Sequence, residues 1–204
     1  MDYVWYACYG SNLLETRFHC YIGGGKAEGS TKSEIGCTNP TLPIKVSPII
    51  MPYEMYFAEY SGRWDGGVAF IDTKKKENIK TYGKKYLITA EQFQEIVQQE
   101  NGDSSMIVDL PLAKKVKMYQ FSNGWYGNII YLGEKEGHPI FTFTDHRSID
   151  EKTFTSPSMA YLKSIFNGMR DTYDDEPQEF LTYLYNCKGV SDTYSLSDLE
   201  RNLL

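Results

Sequence analysis

The sequence has 204 residues, a formal net charge of −6 and an aromatic content of 15% that includes 17 tyrosines. This length suits a single domain, residues 1–204, that can bury a sizeable core, and so many aromatic residues exclude a disordered acidic tail. The acidic balance, without any block rich in lysine or arginine, argues against a nucleic-acid partner.

The sequence also argues against a membrane, secreted or metal-binding protein. No apolar stretch approaches the roughly 18–20 residues that span a bilayer, and the acidic start at residues 1–3 lacks the basic region of a signal peptide. Neither the cysteines nor the histidines have the spacing of a metal site: Cys8, Cys20, Cys37 and Cys187, and His19, His138 and His146. We therefore expect a soluble cytoplasmic protein with reduced thiols, no metal and no cofactor.

The first half of the chain predicts a strand, a helix and then a series of strands. Residues 4–9 form a buried strand that Gly10 ends. Asn12, followed three residues later by Glu15, predicts a helix N-cap with its reciprocal acid, and the helix ends at the glycines 23–25. Residues 26–43 are polar and predict a surface loop. Four strand-like runs follow, at residues 44–50, 54–60, 66–72 and 82–88.

The second half is richer in helices. Thr89-x-x-Gln92 predicts a capping box at the start of a second helix, and Asn101-Gly102 predicts its end. Residues 127–132 and 139–144 predict a hairpin. Three more helix starts are predicted, at Ser156-Pro157, Pro177 and Ser197. Because the elements do not alternate as βαβ units, the pattern favours an α+β fold with a curved or closed sheet.

The turn Tyr9-Gly10-Ser11-Asn12-Leu13 is the first candidate binding site. Gly10 allows a sharp turn and the close approach of a ligand. The free N–H groups of Ser11 to Leu13 would then point outward at the positive end of a helix, where a carboxylate or phosphate binds readily. The same residues also fit an ordinary strand-to-helix turn in which Asn12 is only a cap.

Glu100 is the candidate catalytic residue. It lies seven residues after Phe93, four after Ile96 and three after Val97, on the apolar side of its helix. Burial and the negative end of the helix dipole both raise the pKa of a carboxyl group there, towards the range in which it can accept and return a proton. The alternative is that the helix frays and Glu100 meets water.

Aromatic residues form a third, weaker feature. Trp125, Tyr126 and Tyr161 could line a cleft, although each also fits the core. Gly168, inside the third helix, costs about 1 kcal/mol relative to alanine. We expect it to pack closely against a strand.

Several of these segments together resemble the gamma-glutamylcyclotransferase family. Residues 6–13 resemble its opening signature YxAYGSNL. Three further blocks occur in the family's order: residues 66–70 resemble a GxVY strand, residues 99–102 resemble the helix end with the catalytic Glu, and residues 156–168 resemble a PSxxY block. The resemblance implies a single-domain mixed β-barrel with flanking helices and one cleft.

The resemblance also implies a reaction. The free α-amine of a γ-glutamyl compound attacks its own γ-carbonyl, giving 5-oxoproline and a released amine or amino acid, as in glutathione metabolism. By carry-over, Glu100 is the general acid and base, residues 9–13 bind the small-molecule substrate, and Tyr161 lines the cleft.

Because of two departures from the family pattern, the identity of the leaving group stays open. Asn101 separates Glu100 from Gly102, where the family commonly has glycine directly after its glutamate, and Ile107 stands where a substrate-contacting tyrosine is expected. A binding module that holds a small carboxylate on the same YGSN turn, without catalysis, is the alternative function.

Overall fold

The computed structural model describes residues 2–26 and 33–204. Within them the strands are β1 (Tyr3–Cys8), β2 (Lys45–Met51), β3 (Tyr53–Ser61), β4 (Gly66–Lys75), β5 (Thr81–Thr89), β6 (Met118–Gln120), β7 (Asn128–Lys135) and β8 (His138–Thr144). The helices are α1 (Glu15–Gly23), α2 (Ala90–Asn101), α3 (Leu110–Val116), α4 (Met159–Arg170), α5 (Pro177–Asn186) and α6 (Leu196–Leu203).

Six strands form a mixed sheet in the order β2-β5-β1-β8-β7-β6, while β3 and β4 form a separate two-stranded sheet. The central strand β1 pairs antiparallel with β5 and parallel with β8, and its residues from Val4 to Cys8 are buried. Strands buried on both faces are expected to be continuously apolar, as this one is. The α+β class predicted from the sequence is confirmed.

The two sheets meet without closing into a barrel among the described residues. At their junction the Thr144 hydroxyl accepts a hydrogen bond from the Ile71 N–H at 3.2 Å and donates one to the Ile71 carbonyl at 2.7 Å. The Thr144 side chain on β8 thus binds the backbone N–H and carbonyl groups of Ile71 on β4, which would otherwise be free to pair with another strand. The expected closed barrel is in fact two sheets joined by side-chain hydrogen bonds.

Helix starts differ from the sequence predictions where a neighbouring serine or a distant partner competes. α1 has Leu14 as its N-cap, with no side-chain cap, and Asn12 lies in a preceding 3-10 turn at Ser11–Leu13. α4 is capped by Ser158 instead of Ser156, because the Ser156 carbonyl accepts a hydrogen bond from the Gly67 N–H of β4.

Four other outcomes concern the remaining helices and the long loop. α6 is capped by Ser195 in a box with Asp198, not by Ser197, and the short helix α3 was not predicted. α2 has the predicted capping box and ends at Gly102 in the left-handed conformation, with φ 65°. Of the predicted loop at residues 26–43, residues 27–32 lie outside the described residues.

Buried tyrosines support the turn that follows β1. The ring of Phe18 on α1 stacks on Tyr86 of β5, with centroids 3.9 Å apart. The Tyr86 hydroxyl then donates a hydrogen bond to the Asn12 carbonyl at 2.8 Å. A buried tyrosine needs such a partner for its hydroxyl, so the core directly fixes the backbone at Asn12.

Within the described parts of the chain, no helix has both the length and the hydropathy needed to cross a membrane.

Gly168 of α4 packs against this same turn, where a strand was expected. A Cβ atom added at Gly168 would lie 2.4 Å from the carbonyl carbon of Leu13 and 2.4 Å from the nitrogen of Leu14. Real Cβ atoms do not approach backbone so closely, so only glycine lets the helix approach the backbone of Leu13 and Leu14.

We therefore expect Gly168→Ala to destabilise the protein, although alanine is the better helix former. Overpacking a well-packed site costs about 1–3 kcal/mol, which exceeds the gain of roughly 1 kcal/mol in helix propensity. Chemical denaturation measures the change in the free energy of unfolding. Lys163→Ala, on the exposed side of the same helix, is the control and should change it by less than about 0.5 kcal/mol. Equal stability of both variants would contradict the close packing.

Candidate functional site

A cavity of about 540 Å³ lies where the turn after β1 meets the C-terminal end of α2. Its walls come mainly from four segments, residues 9–12, 60–64, 99–102 and 124–126. Cavities of roughly 300–1,000 Å³ with a few convergent polar groups are typical of small-molecule sites.

Most of the site residues predicted from the sequence line this cavity. Tyr9, Gly10, Ser11, Asn12, Glu100 and Tyr161 all contribute to its walls.

Leu13 is the exception. It is wholly buried, and its N–H donates to the Gly10 carbonyl at 3.0 Å. Because the backbone forms a 3-10 turn here, this amide is not directed outward as expected.

Asn12 joins the turn to the proposed catalytic residue. Its Nδ2 donates one hydrogen bond to Oε1 of Glu100 at 3.1 Å and another to the Tyr6 hydroxyl at 3.2 Å. Its Oδ1 atom is buried and has no hydrogen-bond partner in the described parts of the chain. A buried acceptor without a partner is costly, and here it belongs to a residue of the cavity wall.

Glu100 sits in the last turn of an intact helix. Gly102 N–H bonds back to the carbonyls of Gln98 and Gln99, and Asn101 Nδ2 bonds to the Val97 carbonyl at 2.9 Å. The helix therefore does not fray at Glu100. Desolvation by burial raises the pKa of the Glu100 carboxyl above its ordinary value, in the direction expected from the sequence.

Two groups on α1 oppose this desolvation. The positive charge of Arg17 and the hydroxyl of Tyr21 both stabilise the ionised carboxylate and lower the Glu100 pKa, without reversing the net upward direction. Arg17 is buried, and its Nη2 lies 2.6 Å from Oε1 of Glu34. Arg63, from the turn between β3 and β4, also pairs with Glu34.

This charged cluster was not predicted from the sequence, although one signal was present. Arg17 lies three residues after Leu14 and four before Tyr21, which places a charge on the apolar side of α1. No comparable signal marks Glu34, which lies in a loop. Arg63 is likewise in a turn between strands.

Tyr161 packs tightly beneath the turn at Gly10. Its hydroxyl accepts a hydrogen bond from the Ala69 N–H at 3.2 Å, and a Cβ atom at Gly10 would lie 2.9 Å from that oxygen. Tyr126 also lines the cavity while donating to the Ala69 carbonyl at 3.1 Å. Tyr126 and Tyr161 thus serve both as core residues and as cavity walls, the two roles left open by the sequence.

The two departures from the family pattern have different structural consequences. Asn101 binds the Tyr126 segment, since its Nδ2 donates to the Tyr126 carbonyl at 3.3 Å and its Oδ1 accepts from the Tyr126 N–H at 3.4 Å. It therefore links the end of α2 to another cavity wall. Ile107 is 80% exposed, and among the described residues it is not part of that wall.

Across residues 2–26 and 33–204, no group of three or more His, Cys, Asp or Glu side chains is placed to hold a metal ion.

Comparison with solved structures shows the fold. A gamma-glutamyl cyclotransferase superimposes with a TM-score of 0.54 and 17% identity, covering 98% of each chain. An uncharacterized protein from Homo sapiens gives a TM-score of 0.54 and 16% identity over 98% of this chain and 99% of that one. The chain therefore has a gamma-glutamyl cyclotransferase-like fold at low sequence identity, as its motifs predicted.

Sequence comparison finds similarity to one segment of a longer protein. Histone deacetylase 5 of Arabidopsis thaliana is 33% identical over 183 residues, an alignment that covers 81% of this chain. The match spans only 28% of the length of that protein. A scan against models of known protein families finds no match.

The raised pKa of Glu100 predicts how Glu100→Gln changes stability with pH. Between the unfolded and the folded pKa the native state holds the extra proton, so the contribution of Glu100 to stability falls as pH rises. Relative to the wild type, Glu100→Gln should therefore become progressively more stable as the pH rises from the pKa of an unfolded glutamate to the folded pKa of Glu100.

Melting temperatures of both proteins across this range measure the difference. Glu91→Gln, at an exposed position in the first turn of the same helix, is the control and should not show this trend. A wild type that gains stability over Glu100→Gln as pH rises would contradict a carboxyl group disfavoured by burial.

Proposed function

We propose that this chain is a gamma-glutamylcyclotransferase-like enzyme. It cyclises a γ-glutamyl amide to 5-oxoproline and releases an amine or amino acid, with Glu100 as general acid and base. The single observation that carries the proposal is the hydrogen bond from Asn12 Nδ2 to Glu100 Oε1, which joins the YGSN turn to the desolvated carboxylate in one cavity. The fold shared with a gamma-glutamyl cyclotransferase supports the same reaction class.

The reaction needs a single group that can hold one proton. Glu100 takes a proton from the substrate α-ammonium, and the amine nitrogen forms a bond to the γ-carbonyl carbon. When the bond between that carbon and the leaving nitrogen breaks, Glu100 returns the proton to the leaving nitrogen. The remaining extra proton on the ring nitrogen passes to the released amine, which leaves as an ammonium ion. A carboxyl group whose pKa is raised by burial is suited to both steps, and ring closure within one molecule depends mainly on positioning.

Asn12 is suited to position Glu100 for this proton transfer. Its Nδ2 donates to Oε1 of Glu100, and both residues line the cavity.

The substrate carboxylate is assigned to the turn after β1. Gly10 brings the backbone to the cavity without a side chain, and Ser11 follows it in the cavity wall. Tyr9 and Tyr161 bound this end of the cavity. With the Leu13 amide engaged inside the turn, binding falls to the groups from Gly10 to Asn12.

In the alternative, a binding module without catalysis, Glu100 is an exposed or merely structural residue. The contact between Glu100 and Asn12 supports the enzyme instead. We further propose that residues 1–204 act as one domain and that it works in the cytoplasm.

Glu100→Gln should strongly reduce product formation, because the amide cannot accept and return the proton. We expect 5-oxoproline formation from γ-glutamyl-amino acids or γ-glutamylamines to fall by a factor on the order of 10²–10⁴, as measured by mass spectrometry. Glu91→Gln is the matched control and should keep wild-type activity.

A binding measurement distinguishes the enzyme hypothesis from the binding-module hypothesis. Glu100→Gln should still bind 5-oxoproline in calorimetry, since the turn is intact. Equal 5-oxoproline production by wild type and Glu100→Gln would reject the role of Glu100. Binding of 5-oxoproline with no turnover of any γ-glutamyl compound would favour the binding module.

A further inference from the structure

We propose that Tyr21 is a positioning residue for Glu100: Arg17 and Arg63 occupy its hydroxyl oxygen, so that its only proton is held towards the Glu100 carboxylate. The catalytic consequence rests on the function proposed above, while the interaction itself does not. Three observations support this role: the donors to the hydroxyl, the acceptors near it and the burial of the cluster.

The first observation is the number of donors at the Tyr21 hydroxyl. A phenol oxygen accepts two hydrogen bonds and donates one. Arg17 Nη2 donates to it at 3.0 Å, and Arg63 Nη1 donates to it at 3.4 Å. Guanidinium groups have no acceptor, so neither arginine can take the hydroxyl proton.

The second observation concerns the acceptors. Two carboxylates lie near the Tyr21 hydroxyl, those of Glu34 and Glu100. Glu34 is already engaged, since Arg17 Nη2 lies 2.6 Å from its Oε1 and Arg63 Nη2 donates to its Oε2 at 3.2 Å. Glu100 and Tyr21 both line the cavity, and a hydrogen bond with the Tyr21 hydroxyl lowers the pKa of Glu100. Glu34 thus accepts from two guanidinium groups at both of its oxygens, whereas the donor to Glu100 described above is the Asn12 amide at Oε1. We therefore assign the proton to Glu100.

The third observation is that burial fixes the cluster. Arg17 is 1% exposed, its guanidinium carbon lies 4.6 Å from the centre of the Tyr21 ring, and Tyr21 itself is 2% exposed. The Nε and Nη1 atoms of Arg17 have no hydrogen-bond partner in the described residues. A guanidinium with so few partners is costly to bury, and ionised Glu100 offsets part of that cost.

Other titratable groups also act on Glu100, and each is on an element around the cavity. From α1, the loop after it and the turn between β3 and β4 they are Arg17, Tyr21, Glu34 and Arg63. From β1, the segment after it, the loop before β7, and α4 they are Tyr6, Cys8, Tyr9, Tyr126 and Tyr161. In this set Tyr21 is the residue that links both arginines to Glu100.

Tyr21→Phe removes the hydroxyl and keeps the ring. We expect the Glu100 titration midpoint to rise by about one pH unit, as measured by ¹³C NMR of the carboxyl carbon. The Glu100 signal is identified by its loss in Glu100→Gln. The low-pH limb of kcat/KM for 5-oxoproline formation should move by the same amount.

The pH profile of Tyr21→Phe activity distinguishes a positioning role of Tyr21 from a structural defect in the variant. Below the midpoint, Tyr21→Phe should be about tenfold less active than wild type, because one pH unit changes the ionised fraction about tenfold. Above the midpoint it should recover wild-type activity. A loss that is equal at every pH would indicate a structural role and would overturn the proposal.

Tyr60→Phe is the matched control for the titration. Tyr60 also borders the cavity, but it is 59% exposed and its hydroxyl donates to Asp65. This variant should leave the Glu100 midpoint unchanged.

Arg63→Gln tests the same network if Tyr21→Phe fails to fold. Its side chain is 21% exposed, so the substitution is better tolerated than one in the buried core. We expect a smaller rise in the Glu100 midpoint. If the double variant with both substitutions folds, its shift in the Glu100 midpoint should be less than the sum of the two single shifts, because the arginine acts partly through the tyrosine.

The outcomes distinguish this inference from the proposed function. An unchanged Glu100 midpoint in Tyr21→Phe, or in Arg63→Gln where Tyr21→Phe does not fold, overturns the role of Tyr21 even if the wild type makes 5-oxoproline. A raised midpoint in a protein that turns over no γ-glutamyl compound supports the role of Tyr21 and rejects the proposed reaction.

Discussion

The hydrogen bond between Asn12 and Glu100 depends on how β1, β5 and α2 are connected. β5 runs antiparallel to β1 and ends at Thr89, opposite Tyr3. α2 then runs back along β1 for 12 residues, a length of about 18 Å, while the six residues of β1 span about 20 Å. The matching lengths carry Glu100 to the level of the turn after β1, so sheet register and helix length together place the carboxylate.

Local signals predicted the elements, and their failures have a common physical cause. The capping box at Thr89 was predicted because both partners lie within four residues. Asn12 looked equally like a cap, but its side chain bonds to Glu100, 88 residues away in sequence. The Ser156 cap failed for the same reason, since Gly67 on β4 takes the carbonyl of that serine. Distant partners override local propensity here, and a single sequence does not show them.

The fold explains the tyrosine-rich composition. Several ring systems fill the core while their hydroxyls bind backbone groups around the cavity. Tyr9 donates to the Phe143 carbonyl at 2.8 Å, Tyr86 to the Asn12 carbonyl at 2.8 Å and Tyr126 to the Ala69 carbonyl at 3.1 Å. A phenylalanine core would leave these carbonyls without their partners. The surplus of tyrosine is thus how a polar cavity is built inside an apolar interior.

Charge balance around Glu100 fits the proposed role of this residue in accepting and returning a proton. Burial alone favours the neutral carboxyl group, whereas Arg17, Arg63 and the Tyr21 hydroxyl favour the carboxylate. Glu34 neutralises part of the arginine charge and thereby weakens their effect on Glu100. Without the arginines, desolvation would hold the proton on Glu100 and it would be a poor base. Without Glu34, the two guanidinium groups would hold the carboxylate ionised and it would be a poor acid.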